Sequence, residues 1–404
     1  MAQIARPSYM ADLMRWRDRN VIKVISGVRR CGKSTLLALF RDELIRSGVN
    51  ADSILTLNFE DLRWEHLREY HALFDYIEAR LADNAMTYVL LDEVQAVPEF
   101  ERAVDSLYLR DNVDIYLTGS NAYFMSTELS TVLTGRYVEI PMLPLSYREY
   151  CAALTVNTSS SAALGEAYRT YVSDGSFPYL ISLTDDAEAR GAYLQAIYQS
   201  VLLKDVVARH GISDVAMLED VTRFLLDNIG NILSTTRVAS TMTAAGRPMN
   251  HRTVEKYVSA LRDSLLFYEA RRFDIKGKRL LERLEKYYVV DMGLRRTLLG
   301  GRGYDVGRVL ENVVYLELIR RGYEVFVGQV LAGEVDFVAT RADERVYVQV
   351  AATVRDPDVL ARELGSLQRL GDSYPKLVLT LDDDPDADYD GIRRTNALQW
   401  LLAE

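Results

Sequence analysis

The chain has 404 residues, 49% of them hydrophobic and 26% charged, with a net charge of −10. This is globular composition with enough apolar material for two to four domains, and the acidic balance excludes a protein that coats nucleic acid non-specifically while leaving room for a local basic face. No apolar run nears the ~20 residues of a membrane span, residues 1–7 lack the apolar core of a signal peptide, and with only Cys31 and Cys151 there is neither a disulfide framework nor a Cys-based zinc site, so a cytoplasmic setting is expected.

The first predicted strand, 21–26, runs into Gly27-Val28-Arg29-Arg30-Cys31-Gly32-Lys33-Ser34-Thr35 and then an apolar helix from Leu36. The pattern GxxxxGK followed by Ser or Thr, between a strand and a helix, is that of a phosphate-binding loop. Its glycines let the backbone wrap phosphates so that several N–H groups point inward. The following helix turns its positive end on the same anions. Lys33 is placed to reach the β- and γ-phosphates and Ser34 to bind Mg²⁺, so ATP and Mg²⁺ are the expected ligands.

A strand at 53–58 follows. Then Thr87-Tyr88-Val89-Leu90-Leu91-Asp92-Glu93 reads as a buried strand ending in two acids. Asp92 would hold Mg²⁺, directly or through water. Glu93 would polarise an attacking water, which favours hydrolysis over simple binding. Strand 113–119 ends at Ser120 and Asn121. Both are placed to sense a γ-phosphate, and both are ordinary turn residues. Arg136, ahead of strand 137–141, is a candidate phosphate-contacting arginine, in cis or toward a neighbouring subunit. Residues 1–145 thus predict an α/β fold, a parallel-sheet P-loop core with the loop at the carboxyl edge.

Residues 146–212 turn helical, with a small-polar break at 156–161, and read as a lid. Residues 213–298 read as a winged helix. A helix covers 218–229, a shorter one begins near Ser234, Gly246-Arg247-Pro248 makes a turn, and Asn250 caps a helix with Val254, Val258, Leu261 and Leu265 on its apolar face. Strands at 266–270 and 286–290 enclose a basic wing. It carries Arg271, Arg272, Lys276, Lys278, Arg279, Arg283 and Lys286 against Asp274, Glu282 and Glu285. With Arg252 and Lys256 on the exposed helix face, beside His251 and Glu255, this charge suits DNA phosphates. Residues 299–404 predict a helix from Gly307 carrying Glu311, strands at 323–327, 334–339 and 345–350, a helix at 358–371 and a strand at 376–380. That is the element order of the PD-(D/E)XK nuclease core.

Over nearly its whole length the chain resembles a bacterial and archaeal group of AAA+-type ATPases that join an ATPase core to a winged helix and a C-terminal nuclease-like domain. The resemblance is carried by GVRRCGKST, YVLLDEVQ, YLTGSN, LTGRYVEIPMLPLSYREY, GSFPYL, KYYVVDMGL, ENVVYLEL, GEVDFVA and VYVQVA. It implies ATP binding and hydrolysis, with the nucleotide roles on Lys33, Ser34, Asp92 and Glu93. In active PD-(D/E)XK nucleases an acid on the first helix, an Asp on the second strand and a Glu-x-Lys on the third gather metal and activate water. Glu311 and Asp336 match the first two. Gln349 stands for the Glu and could still offer an oxygen. Ala351 stands for the Lys, with Lys376 on the next strand as a stand-in. A degenerate binding or structural domain is therefore favoured over an active nuclease. The leading expectation is a homo-oligomeric ATPase acting on DNA. The alternatives are a regulatory switch with a protein partner and, more weakly, a P-loop kinase.

Overall fold

The computed structural model describes residues 4–82, 85–120, 133, 135–277, 279–281, 284–301, 305–330 and 333–403. The chain forms two compact units, 1–144 with 263–265, and 145–262 with 266–404. Among the described residues no helix is long and apolar enough to cross a membrane.

The first unit is built on five parallel strands: β1 (Ile22–Ser26), β2 (Ile54–Asn58), β3 (Thr87–Asp92), β4 (Val113–Gly119) and β5 (Tyr137–Pro141), in the order β2-β3-β4-β1-β5. Every residue of β1 and β3 is buried, as required of central parallel strands covered on both faces. Helices α1 (Pro7–Trp16), α2 (Lys33–Arg46), α3 (Tyr70–Glu78) and α4 (Phe100–Tyr108) belong to this unit. On α4, Phe100, Ala103, Val104 and Leu107 recur at helical spacing and join Leu57, Val89, Leu91 and Leu117 of the strands in one apolar cluster. Because all strands are parallel, Ser26, Asn58, Asp92 and Gly119 come to the same carboxyl edge. Insertion of β4 between β3 and β1 brings its end between the loop that follows β1 and the acids that end β3.

One polar pair breaks the apolar interior. Lys23 of β1 is fully buried and its ammonium is hydrogen-bonded to Asp114 of β4. It also donates to the Arg19 carbonyl at 2.8 Å, while Asp114 accepts from the Asp18 N–H and the Tyr116 hydroxyl, each at 2.9 Å.

The second unit opens with α5 (Tyr147–Ala153), held by a Ser146–Glu149 capping box, then α6 (Ser161–Asp174) and α7 (Ala187–Ser200), which continues through a π-helical stretch, Val201–Val207. Three further helices follow: α8 (Val215–Asp227), α9 (Thr235–Ala244) and α10 (His251–Asp263). Next comes an antiparallel ribbon of β6 (Phe267–Ala270) and β9 (Lys286–Val289), to which Ile232 adds an isolated bridge at Lys286. After α11 (Met292–Leu299) and α12 (Val306–Arg320) the chain builds a mixed sheet from β10 (Glu324–Val330), β11 (Gly333–Arg341), β12 (Glu344–Ala351), β13 (Lys376–Thr380), β14 (Ala387–Tyr389) and β15 (Ile392–Asn396), with α13 (Pro357–Gln368) and α14 (Ala397–Leu402).

The segment between β6 and β9 departs from the sequence expectation. It does not stand out as a wing. Strands β7 (Arg272–Asp274) and β8 (Arg279–Leu280) pair with each other, and β7 runs parallel to β10, so the hairpin extends the C-terminal sheet at its edge. An edge strand offers unpaired N–H and C=O groups. Here the Arg271 carbonyl accepts from the Val327 N–H at 2.9 Å.

Candidate active site

The loop after β1 has its shape for steric reasons. A Cβ on Gly27 would lie 2.3 Å from the Met142 carbonyl oxygen and 2.8 Å from Cys31 Sγ, so no side chain fits. Gly32 has φ +109°, a left-handed conformation that favours glycine. Arg30 has φ +72° and projects into solvent. Val28 and Cys31 are buried beneath the loop, and burial pushes the Cys31 thiol up from its ordinary value. Gly32 supplies no side-chain cap to α2, and Ser34 and Thr35 in the first turn are exposed. The free N–H groups of that turn and the helix dipole make an anion cradle.

Lys33 lies inside this cradle. Its ammonium donates to the Gly27 carbonyl at 2.9 Å and the Val28 carbonyl at 3.4 Å, and lies 3.8 Å from Glu93 Oε1. The Thr118 hydroxyl donates to Asp92 Oδ1 at 2.6 Å and accepts from the Glu93 N–H at 2.9 Å. Asn58 Nδ2 donates to Asp92 Oδ2 at 2.9 Å. Glu93 itself has φ +55°, and its carboxylate accepts from Gln95 Nε2. Burial raises Glu93 above the ordinary carboxylate value, opposed by Lys33 and Arg29. A lysine, a magnesium-type acid and a buried second acid thus converge on the cradle. The residues present fit a nucleoside triphosphate with Mg²⁺: Lys33 and the loop amides for phosphate, Ser34 and Asp92 for the metal.

A family profile described as an AAA domain matches residues 19–151. Over 402 residues the chain is 37% identical to an uncharacterized protein of Haemophilus influenzae, covering 99% of both chains. The chain belongs to the same family as this Haemophilus protein, and an AAA domain spans its residues 19–151. A domain of unknown function, DUF8612, matches residues 165–305. The uncharacterized protein MJ1544 of Methanocaldococcus jannaschii is 26% identical over 378 residues, 90% of this chain and 83% of its own. Among solved structures, the Walker-type ATPase PABY2304 of Pyrococcus abyssi aligns over 73% of this chain and 96% of its own, at 14% identity and TM-score 0.48.

Within the AAA domain, Arg29 Nη1 donates to Glu60 Oε1 at 3.2 Å. Ser120 is buried, and Gln95 Nε2 donates to its hydroxyl at 3.4 Å, which ties it to Glu93. Asn121 lies outside the described residues. Arg136 does not meet the phosphate loop of its own chain. Its carbonyl accepts from the Ile22 N–H at 2.8 Å, at the amino end of β1, whereas the loop follows Ser26 at the other end, about 13 Å away at strand rise. Its guanidinium is ion-paired with Asp105 and lies 5.4 Å from the Tyr108 ring centroid.

Thr118, Asn58 and Gln95 were not legible as site residues. The available signal for Thr118 is a polar residue inside an otherwise apolar strand run. Removing its hydroxyl unties Asp92 from the Glu93 backbone. We expect Thr118→Ala to lower ATP turnover by roughly 10- to 100-fold, with Thr118→Ser near wild type. Steady-state phosphate release checks both. Arg6 was also missed. It is buried, and donates to the Cys31 carbonyl at 3.1 Å and the Leu143 carbonyl at 2.7 Å, propping the loop from below.

In the second unit α10 carries Arg252 and Lys256 exposed one turn apart, with Val254, Tyr257, Val258 and Leu261 buried opposite. Arg271 is 3.5 Å from Glu324 and Arg279 is 3.7 Å from Asp274, so the sheet partly neutralises the expected wing charge. Arg272 is half-buried, Lys276 is exposed, and Lys278 lies outside the described residues. Glu311 of α12 and Asp336 of β11 are brought together, but around Lys286, and Gln349 of β12 accepts from the Asp336 N–H. Lys376 does not join them: its ammonium donates to the Leu370 and Asp372 carbonyls at 3.2 and 3.0 Å. Burial pulls Lys286 down, yet Glu311, Asp336 and Glu334 outweigh it and hold the ammonium above its ordinary value. Burial and Glu311 push Asp336 well above the carboxylate range.

Proposed function

We propose that this AAA-domain protein hydrolyses ATP and couples the nucleotide cycle to DNA binding through its second unit. The observation that carries the hydrolytic reading is the convergence of Lys33, Glu93, Asp92 and Thr118 at one edge of the sheet. Phosphate oxygens replace the Gly27 and Val28 carbonyls as partners of Lys33, and the α2 N-terminus holds the same anions. Ser34 and Asp92 would hold Mg²⁺, which would supply neutralisation of the phosphate charge. Release of Lys33 frees Glu93 to orient a water and accept its proton. The water oxygen bonds to the γ-phosphorus in line as the bond to the β–γ bridging oxygen breaks, giving ADP and phosphate. A neighbouring subunit in a homo-oligomer supplies the arginine that completes the site.

The DNA reading treats 213–298 as a winged helix whose α10 presents Arg252 and Lys256 to phosphates, and 299–404 as a nuclease-like fold. A specific observation favours the regulatory alternative: strands 272–274 and 279–280 pair at a sheet edge, with Arg271 near Glu324 and Arg279 near Asp274. ATP hydrolysis by wild type and Arg252→Ala/Lys256→Ala, with and without duplex or branched DNA, separates the two. The expected result is DNA stimulation in the wild type. In the double variant we expect weaker binding and a salt slope smaller by about 2. Hydrolysis that no DNA alters, with no DNA bound, establishes the protein-directed switch.

A further inference from the structure

In the nuclease-like reading of 299–404, Glu311, Asp336 and Gln349 are the residues that would take a divalent metal. The Lys286 ammonium stands beside two of them instead. Lys286 Nζ lies 3.0 Å from Glu311 Oε1, 2.5 Å from Glu334 Oε1 and 3.8 Å from Asp336 Oδ1. A Mg²⁺ or Ca²⁺ bridging these oxygens at about 2.0–2.6 Å would need the space the ammonium fills. We infer that Lys286 is a built-in replacement for that metal, so the domain takes up no divalent cation and cuts no phosphodiester bond. The inference rests on the nuclease-like reading proposed above.

Several of the neighbouring acceptors and donors are committed to the protein. The Tyr288 hydroxyl donates to Glu311 at 2.7 Å, and the Val350 N–H donates to Asp336 Oδ2 at 2.9 Å. Gln349 Oε1 accepts from the Asp336 N–H at 3.2 Å, and its Nε2 donates to Glu363 at 2.7 Å. Gly230 closes over Glu311, since a Cβ there would lie 3.1 Å from Oε2. Among the described residues no group of three or more His, Cys, Asp or Glu is arranged to hold a metal. A lysine that polarises water must stand beside the metal. The Lys286 nitrogen lies among the acids, where a metal bridging them would stand.

Lys286 is also anchored against leaving. It arrives on β9, outside the helix–strand core that carries the acids, and its side chain is 6% exposed. Asn312 clamps the strand by bonding both the N–H and the carbonyl of Val289 at 2.8 Å. The Tyr288 ring stacks on Tyr315 with centroids 4.1 Å apart. The ammonium therefore has two effects. It neutralises the acids, and it ties the β6–β9 ribbon to α12 and the C-terminal sheet.

The test uses the full chain, without nucleotide, and Mn²⁺ as probe. Wild type should show no Mn²⁺-dependent rise in Tm that depends on Asp336, and no Mn²⁺- or Mg²⁺-dependent nicking of supercoiled plasmid. Lys286→Met, which keeps the stem and removes the charge, should lower Tm by on the order of 10 °C. About 1 mM Mn²⁺ should recover a large part of that loss, and adding Asp336→Asn should abolish the recovery. Asp336-dependent metal binding or nicking by the wild type overturns the inference, and this arm stands whether or not Lys286→Met folds. A folded Lys286→Met that Mn²⁺ does not rescue overturns it differently: the acids then do not occupy a metal-binding arrangement, and the nuclease-like reading itself fails.

Discussion

Glu93→Gln should bind ATP within about threefold of the wild type yet lose roughly two to four orders of magnitude in turnover. The amide keeps the size of the carboxylate and can still meet Gln95, but it cannot accept a proton from water. Lys33→Ala should fail differently. The ammonium that now rests on the Gly27 and Val28 carbonyls and faces Glu93 is the group that would meet the β- and γ-phosphates. Its removal should weaken nucleotide binding as well as turnover, leaving hydrolysis below roughly a thousandth of the wild-type rate. Fluorescent-nucleotide titration beside steady-state phosphate release distinguishes the two patterns. If Glu93→Gln turns over at close to the wild-type rate, Glu93 is not the group that activates water.

The second large effect is on stability. Lys23→Met should destabilise the protein by about 3–5 kcal/mol, because it leaves the Asp114 carboxylate buried without its counter-charge. Burial already dominates both partners, pulling Lys23 down and pushing Asp114 up against their mutual attraction. With Lys23 gone, the Asp114 folded pKa rises further above its unfolded value. A group raised in this way favours the folded state below the unfolded pKa and loses that contribution as pH climbs through the folded one. The deficit should therefore grow as pH rises from the unfolded carboxylate value of about 4 toward neutrality. Lys23→Met/Asp114→Asn should regain most of the loss, since an amide oxygen still accepts from the Asp18 N–H and the Tyr116 hydroxyl. Denaturant unfolding across that pH range reads both variants. A Lys23→Met variant as stable as the wild type would show that the pair contributes nothing.

The phosphate loop could be read from the chain alone because its chemistry is local. Gly27, Gly32, Lys33 and Ser34 act through a backbone path and a helix end that lie within one turn of each other in sequence. Asp92 and Glu93 were equally legible, because a run of apolar residues ending in acids needs no partner to be recognised. Thr118, Asn58 and Gln95 acquire their roles only from strand order. With β4 inserted between β3 and β1, a threonine inside a strand meets an aspartate 26 residues before it. Arg136 shows the converse. A strand-flanking arginine near a glycine looked suited to phosphate, but parallel pairing sets it at the amino end of β1, away from the loop.

The basic run after α10 was legible as charge but not as shape. Whether such a run projects as a wing or lies down as an edge strand depends on an exposed neighbour such as β10, contributed by residues far along the chain. The acids Glu311 and Asp336 were likewise visible as a motif, while Gln349 in place of its Glu and Ala351 in place of its Lys hinted that the site had changed. That a different lysine fills the space between them could not be read from spacing, because Lys286 lies 25 residues before Glu311 on a separate strand. The proposed nucleotide chemistry was legible along the chain, since those groups act over one loop and one strand end. Which cation stands among the buried acids depends on the fold, because electrostatic partnership in an interior is set by distance in space and by exclusion of water.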